Sequence, residues 1–415
     1  MEIVIAILAA STPLLYWWRF RDTPLDRDYG PYAYMGVFNS GYFKNGHRDV
    51  KPPLIHWGYW VWVTLTSRFG LSVRGRLRLW PTLMLSVAVF AMGLSYPISA
   101  LALALMLISP HLWPHMANTE WLSISLTALA LSLHNCPMVA LVSLGLLPLV
   151  NQKNALLVPV LIWALGLSWG MAWMALIPGL LFVVWLFLVG DWRKIILYLW
   201  FIPREMGKAR TLRRNTLAQL HLLMPGLIKL AMVLAIADWR SPWFVVFLVC
   251  VVLTVSVKQV VPHHLILLTF PLALAVNPSG LWFIAWVILW MLQDFLIWLK
   301  PDLIYPLTFR FRQGGHYGVL LDEGLEVVEW LKANTAPGET ILVNGFENQI
   351  YIEANRPGVC MDICEAPREA DKIMPRVIVH CGNSAVPLDY TGYEPQLVSA
   401  PGGLYTVTVR KALTL

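Results

Sequence analysis

Between residues 79 and 299 the sequence is a near-continuous series of apolar runs, broken mainly by prolines and short polar clusters. That stretch constrains the fold more than anything else in the chain. A run of about 20 apolar residues matches the hydrocarbon thickness of a bilayer. In lipid the backbone must satisfy its own hydrogen bonds, which such runs do as helices. Only 13% of the 415 residues are charged and 58% are hydrophobic, whereas a soluble domain carries about 25% charge. The sequence therefore predicts a polytopic α-helical membrane protein.

With prolines and polar clusters as boundaries, spans fall near 3–18, 79–95, 97–113, 119–134, 137–150, 154–169, 172–190, 217–237, 242–257, 263–276 and 281–299, about eleven transmembrane helices. The first segment lacks the basic start and small-residue cleavage pattern of a signal peptide. It ends on Tyr16, Trp17 and Trp18, as an interfacial aromatic belt does, and reads as a retained helix. The boundaries are a membrane domain over 1–300, a linker over 301–317 and a small α/β extracytoplasmic domain over 318–415. In the last, residues 322–335 carry apolar positions at helical spacing. "TILVNGF" and "RVIVHC" read as buried strands, and "QLVSAPGGLYTVTVRK" as a terminal hairpin.

The loop over 19–78 is the polar exception. "PLDRDYGPYAYMGVFNSGYFKNGHRDVKPPL" (24–54) packs acids, bases and tyrosines between apolar segments. "GPYAYMGVFNSGYF" suits a short amphipathic helix, and the Trp-studded 52–70 suits a helix lying in the membrane interface. Asp28 and Tyr32 lie one helical turn apart, and Lys51 stands before a Pro pair that stops any preceding helix. A carboxylate beside a membrane surface is costly without a purpose. Asp26 is the neighbouring alternative, better read as a cap or solvated residue. Lys229 and Asp294 fall inside expected spans, where interhelical pairing explains them.

The net charge of +7 is uneven. Arg193, Lys194, Arg204, Lys208, Arg210, Arg213 and Arg214 crowd one loop between spans. Lipid headgroups or phosphates suit such a cluster, and nucleic acid does not. An odd span number puts loop 19–78, the basic loop and the C-terminal domain on one side. The positive-inside rule would send the basic loop to the cytoplasm, so two topologies compete. Cys136 and Cys250 lie in or beside apolar segments and read as small apolar residues. Cys360, Cys364 and Cys381 lie in the C-terminal domain, where an oxidising compartment allows one disulfide. Their spacing, with His380, matches no recognised zinc pattern.

The set Asp28–Tyr32–Ala33, Gly41–Tyr42 and Lys51–Pro52–Pro53–Leu54, in that order, resembles the first extracytoplasmic loop of polyprenyl-phosphate-dependent glycosyltransferases of the GT-C superfamily. The likeness is to the group of aminoarabinose-to-lipid-A transferases and protein O-mannosyltransferases. "SPHLWPHMANTEWLSISLTALAL" resembles the turn carrying that group's second acidic residue, here Glu120. "NQKN" resembles its lysine turn, here Lys153. "WFIPREM" resembles a motif whose arginine meets phosphate, here Arg204. "KQVVPHHLILLTFPLALA" resembles a segment in which His264, beside His263, takes a tyrosine's place. Tyr29 stands where the group has Glu, and Val50 where an acidic residue often precedes the lysine.

The resemblance implies a membrane enzyme that moves a sugar from a polyprenyl-phosphate donor to a lipid, glycan or protein hydroxyl, at the extracytoplasmic face of the cell membrane. It implies Asp28 and Glu120 as catalytic carboxylates, with Tyr32, Lys51, Lys153, Arg204, His263 and His264 as substrate contacts. It also tips the topology toward an extracytoplasmic basic loop. The cofactor is unknown, and the sequence requires no divalent metal. Two rivals remain. A transporter should show helices broken by Gly or Pro in matching halves, and none is evident. A non-catalytic lipid-binding or assembly subunit would have little use for the Asp28, Tyr32 and Lys51 set.

Overall fold

The computed structural model describes all residues except 1, 23, 26–28, 43–50, 108–118, 190–191, 202–230, 232, 257–265, 277–284, 289–321, 346, 359–374, 382–392, 399–404 and 411–415. The chain forms two units. One comprises Met1–Arg21, Val50–Ile55 and Arg78–Phe311; the other comprises Asp22–Asp49, His56–Leu77 and Arg312–Leu415. The described helices begin with α1 (Glu2–Phe20), α2 (Tyr29–Val37), α3 (Pro53–Thr66), α4 (Val73–Gly93), α5 (Pro97–Leu107) and α6 (Thr119–Ser132). They continue with α7 (Pro137–Gly145), α8 (Leu147–Val150), α9 (Leu157–Ala164), α10 (Ile177–Val189) and α11 (Trp192–Ile196). Four later helices span Pro242–Ser256, Ile266–Ala275, Asp322–Asn334 and Gln349–Ala354.

The first unit is helical and patterned for lipid. In α1 the buried positions are Ala6, Ala9, Pro13 and Tyr16, while Ile3, Val4, Ile7, Leu8 and Leu15 face outward. Apart from Tyr16, small residues lie inside and bulky ones outside, which inverts the water-soluble rule. They suit a solvent as apolar as the side chains, where close backbone approach drives packing. Gly93 of α4 meets Ala6, which a Cβ at Gly93 would approach to 2.7 Å. Leu180, Leu181, Val184, Phe187 and Leu188 expose a second apolar face on α10. Among the described residues one segment, Trp169–Leu188, is both long and apolar enough to cross a membrane. Shorter apolar helices are Pro97–Leu107, Pro137–Val150, Pro242–Thr254 and Ile266–Ala275.

Residues 154–169 depart from the single helix expected there. A 3-10 turn over Gln152–Leu156 leads into α9, whose eight residues rise only about 12 Å. The break falls at Gly166, which takes a left-handed φ of 64°, the usual way a helix ends on glycine. A second 3-10 stretch, Trp169–Leu176, then runs into α10.

The second unit holds a four-stranded sheet in the order β1-β2-β4-β3, with β1 Leu342–Asn344, β2 Val377–Cys381, β3 Tyr393–Val398 and β4 Tyr405–Arg410. β1 and β2 are parallel, with Gln349–Ala354 in their connection, and β3 pairs antiparallel with β4. The expected helix, two strands and hairpin are thus all present. Val327, Val328 and Leu331 of helix Asp322–Asn334 pack on Val377, Val379 and Val407 of the sheet.

Into this core comes a side chain from the first loop, Tyr34 of α2. Its hydroxyl accepts from the Gly358 amide (2.8 Å) and donates to the Gly358 carbonyl (3.1 Å). Sequence reading expects an amphipathic surface helix here. Instead α2 is buried on nearly every side, with Tyr29, Gly30, Tyr32, Ala33, Tyr34 and Met35 all enclosed. Its glycines permit this: a Cβ at Gly30 would lie 2.5 Å from Asn348, and one at Gly36 would lie 2.9 Å from α3 at Tyr59 and Val63.

Arg356, almost fully buried, ties the ends of two helices by donating to Thr335 Oγ1, Thr335 O and Ala354 O. On the sheet, Cys381 belongs to the core cluster, while His380, its alternating neighbour, faces the other side of the pleat. The two therefore cannot serve one metal ion. Burial, reinforced by Glu347, pushes the Cys381 thiol well above its ordinary value. Cys360 and Cys364, its disulfide candidates, lie outside the described residues, as does the 301–317 linker.

Candidate functional site

Glu120 and Lys153 come together in the first unit. Glu120 lies in the first turn of α6, where the helix dipole favours a carboxylate. Lys153 lies on the 3-10 turn that follows α8. Asn151 caps that turn, its Oδ1 accepting from the Lys153 amide at 3.4 Å, and so fixes the backbone from which the lysine reaches out. Lys153 Nζ lies 3.0 Å from Glu120 Oε1, with side chains 19% and 3% exposed.

The remaining bonds close a network. Thr119 Oγ1 donates to Glu120 Oε2 (3.0 Å) and accepts from Asn151 Nδ2 (3.1 Å). Asn154 Nδ2 donates to Ser123 Oγ (2.8 Å), which in turn donates to the Thr119 carbonyl (2.8 Å). Each charge is compensated, as a low-dielectric setting demands. Sequence reading named Glu120 and Lys153 separately and passed over Thr119, Asn151, Asn154 and Ser123. The available signal was polarity: "NQKN" and "NTEWLS" are runs of hydrogen-bonding residues between apolar segments.

Lys51 belongs to the first unit and is half-buried. It stands two residues before α3, which opens on Pro53, a position that suits proline's fixed φ and missing N–H.

Tyr32 belongs to the second unit, where it and Tyr42 of the first-loop motif converge on His56 of α3. The His56 ring lies 5.6 Å from Tyr32 and 5.4 Å from Tyr42. His56 Nδ1 lies 3.2 Å from the Pro31 carbonyl, which assigns the proton to Nδ1. The histidine is fully buried. It follows "KPPL" by two residues, yet it was missed because a lone histidine in an apolar helix gives no sequence signal of its own. Tyr29 packs edge-on against Tyr59, ring centroids 6.1 Å apart.

Asp28, Arg204, His263 and His264 lie outside the described residues, as does Asp26. Among the described residues, no group of three His, Cys, Asp or Glu side chains is placed to hold a metal.

No family model matches the chain, and no curated protein matches it. Solved structures do. ArnT from Cupriavidus metallidurans, bound to undecaprenyl phosphate, superposes with a TM-score of 0.58 at 13% identity, covering 98% of each chain. The archaeal oligosaccharyltransferase AglB from Archaeoglobus fulgidus, in complex with an inhibitory peptide and a dolichol-phosphate, gives 0.43 at 14% identity, over 91% of this chain and 69% of that one. The arabinofuranosyltransferase AftD from Mycobacteria gives 0.44 at 15% identity, over 98% of this chain and 40% of that one. At such identities the likeness is one of fold. The chain shares the fold of ArnT over 98% of either chain.

Proposed function

We propose that the chain is a membrane glycosyltransferase that moves a sugar from a polyprenyl-phosphate donor to a hydroxyl acceptor at the extracytoplasmic face of the cell membrane. The observation that carries this reading is the match of the whole fold to ArnT, a protein solved with undecaprenyl phosphate bound. The first-loop motif supports it independently. On this reading about eleven helices span the bilayer, and loop 19–78, the basic loop and the C-terminal domain all face outward.

The chemistry asks for a base to take the acceptor's proton and for cations to meet charge on the leaving lipid phosphate. It also needs a cavity that admits an apolar tail beside a polar head. Asp28 is the base. Lys51, Lys153 and Arg204 are the cations. Tyr32, His263 and His264 contact donor or acceptor. The acceptor is a lipid, glycan or protein, and membrane lipids surround the site.

A single displacement inverts the anomeric centre, whereas retention would need a second carboxylate close enough to act as nucleophile. Glu120 is engaged by Lys153 and Thr119, which supports inversion and gives Glu120 the task of orienting Lys153.

The test is Asp28→Asn, which keeps size and hydrogen bonding but removes the base. Transfer from a polyprenyl-phosphate sugar, followed as release of free lipid phosphate, should fall by roughly 10²-fold or more, with donor binding nearly intact. Asp26→Asn should do much less. If both variants turn over like the parent chain, the catalytic reading of this loop is wrong.

A further inference from the structure

We infer that the C-terminal domain is a positioning element for the first-loop motif, and that Glu353 is the residue through which it acts. Glu353 lies in helix Gln349–Ala354, and only 5% of its side chain is exposed. It makes two kinds of bond. Its Oε1 accepts from the backbone amide of Leu25 at 2.9 Å. Both carboxylate oxygens accept from Arg74 Nε, at 3.1 and 2.8 Å. Arg74 in turn donates to the Asp22 carbonyl at 3.0 Å.

Glu353 thereby holds the backbone at Leu25 directly and at Asp22 through Arg74, three and six residues ahead of Asp28 in sequence. Leu25 itself is fully buried. The bonds to Glu353 are charge-assisted and part-buried, stronger than neutral ones.

The downstream side is held as firmly. α2 begins at Tyr29, directly after Asp28, and Gly30 has no room for a Cβ against Asn348. One turn further on, Tyr34 is clamped by both polar groups of the Gly358 backbone. Glu353, Asn348 and Gly358 all come from one short stretch of the C-terminal domain. That stretch therefore anchors the chain on both sides of Asp26–Asp28. What the Glu353 carboxylate fixes is the backbone position at Leu25, three residues before Asp28 in sequence. Misplacing a reacting group by about 1 Å can slow a reaction by roughly 10²-fold.

The inference rests on the reading of Asp28 as base, and the experiment separates the two. Full-length Glu353→Ala, Glu353→Gln and Arg74→Gln are compared with the parent chain. The readouts are amide hydrogen exchange across 22–37, exchange across helix Asp322–Asn334, and transfer kinetics. Glu353→Ala should speed exchange over 22–30, leave helix Asp322–Asn334 protected, and lower kcat by about 10- to 100-fold with KM for the donor little changed. Glu353→Gln, which still accepts from Leu25, should restore most of both. Arg74→Gln, which keeps the Leu25 bond, guards against a folding defect in the alanine variant and should fall between.

Unchanged exchange over 22–30 in Glu353→Ala overturns the inference whatever turnover does. Faster exchange with unchanged kcat, when Asp28→Asn is inactive, also overturns it. Faster exchange with Asp28→Asn fully active instead removes the base reading and leaves the anchoring in place.

Discussion

Removing Lys153 should destabilise the chain more than removing its partner, and removing both should restore part of the loss. Glu120 and Lys153 stand 3.0 Å apart, with the carboxylate 3% and the ammonium side chain 19% exposed. At an effective dielectric of about 20 their raw attraction is about 5–6 kcal/mol, before the opposing cost of desolvation. Lys153→Met strands a buried carboxylate, a loss of about 3–5 kcal/mol. Glu120→Gln leaves the less buried ammonium, which reaches water more easily, and Gln still accepts from Thr119. That change should cost about 1–2 kcal/mol. In the double variant no charge is stranded, so adding Glu120→Gln to Lys153→Met should recover about 2 kcal/mol, a coupling of about 3–4 kcal/mol. Reversible unfolding in mixed micelles, followed by tryptophan fluorescence, gives the four free energies. Losses that add to within about 0.5 kcal/mol, or a Lys153→Met no worse than Glu120→Gln, would refute the buried pair.

Two further outcomes are expected. Gly30→Ala should loosen α2, because the added Cβ meets Asn348 backbone at 2.5 Å; such overpacking costs about 1–3 kcal/mol. Gly70→Ala, with nothing within 4 Å, is the control, and equal hydrogen exchange over 29–37 in the two variants would contradict the seating. His380 should make the C-terminal sheet sensitive to acid. Burial lowers its pKa from the ordinary 6.5, and its ring meets Thr408 Oγ1 at 3.1 Å and Asn344 Nδ2 at 3.5 Å. Its neutral form is favoured in the fold, so its contribution is fully present above about pH 6.5 and is lost as pH falls through the lowered value. Hydrogen exchange of Val377–Cys381 at pH 7.5 and pH 5 should show this, and His380→Gln should flatten it.

Local elements were legible wherever sequence period and partner lay close together. Helix Asp322–Asn334 declares itself through Leu325, Val327, Val328 and Leu331, and the β3–β4 hairpin through alternation around Gly402 and Gly403. The stretch 154–169 misleads because apolar content hides the break at Gly166, which shows only in its left-handed φ. Within the candidate site, Glu120 and Lys153 stand out because charge is scarce in apolar sequence. Thr119, Asn151 and Asn154 do not, since each also caps and turns well in ordinary loops. The burial of α2 was illegible for a different reason. Tyr34 and Gly358 are 324 positions apart, and no local pattern encodes a partner at that range. Glu353 is hidden in the same way, 328 positions from Leu25.

That separation has a consequence for biosynthesis. Ribosomes add about 5–20 residues per second, so α2 leaves the exit tunnel roughly 15–65 s before the Gly358 backbone exists to receive Tyr34. Through that interval the hydrophobic segments of the first unit from α4 onward are made while α2 has α3 to pack on but not the C-terminal domain. Its tyrosine-rich surface is then a ligand awaiting its receptor, and the last-made part of the chain completes the first. A nascent chain halted anywhere before residue 341 should therefore display 29–37 to proteases and holdase chaperones, and a chain released after β4 should withdraw it.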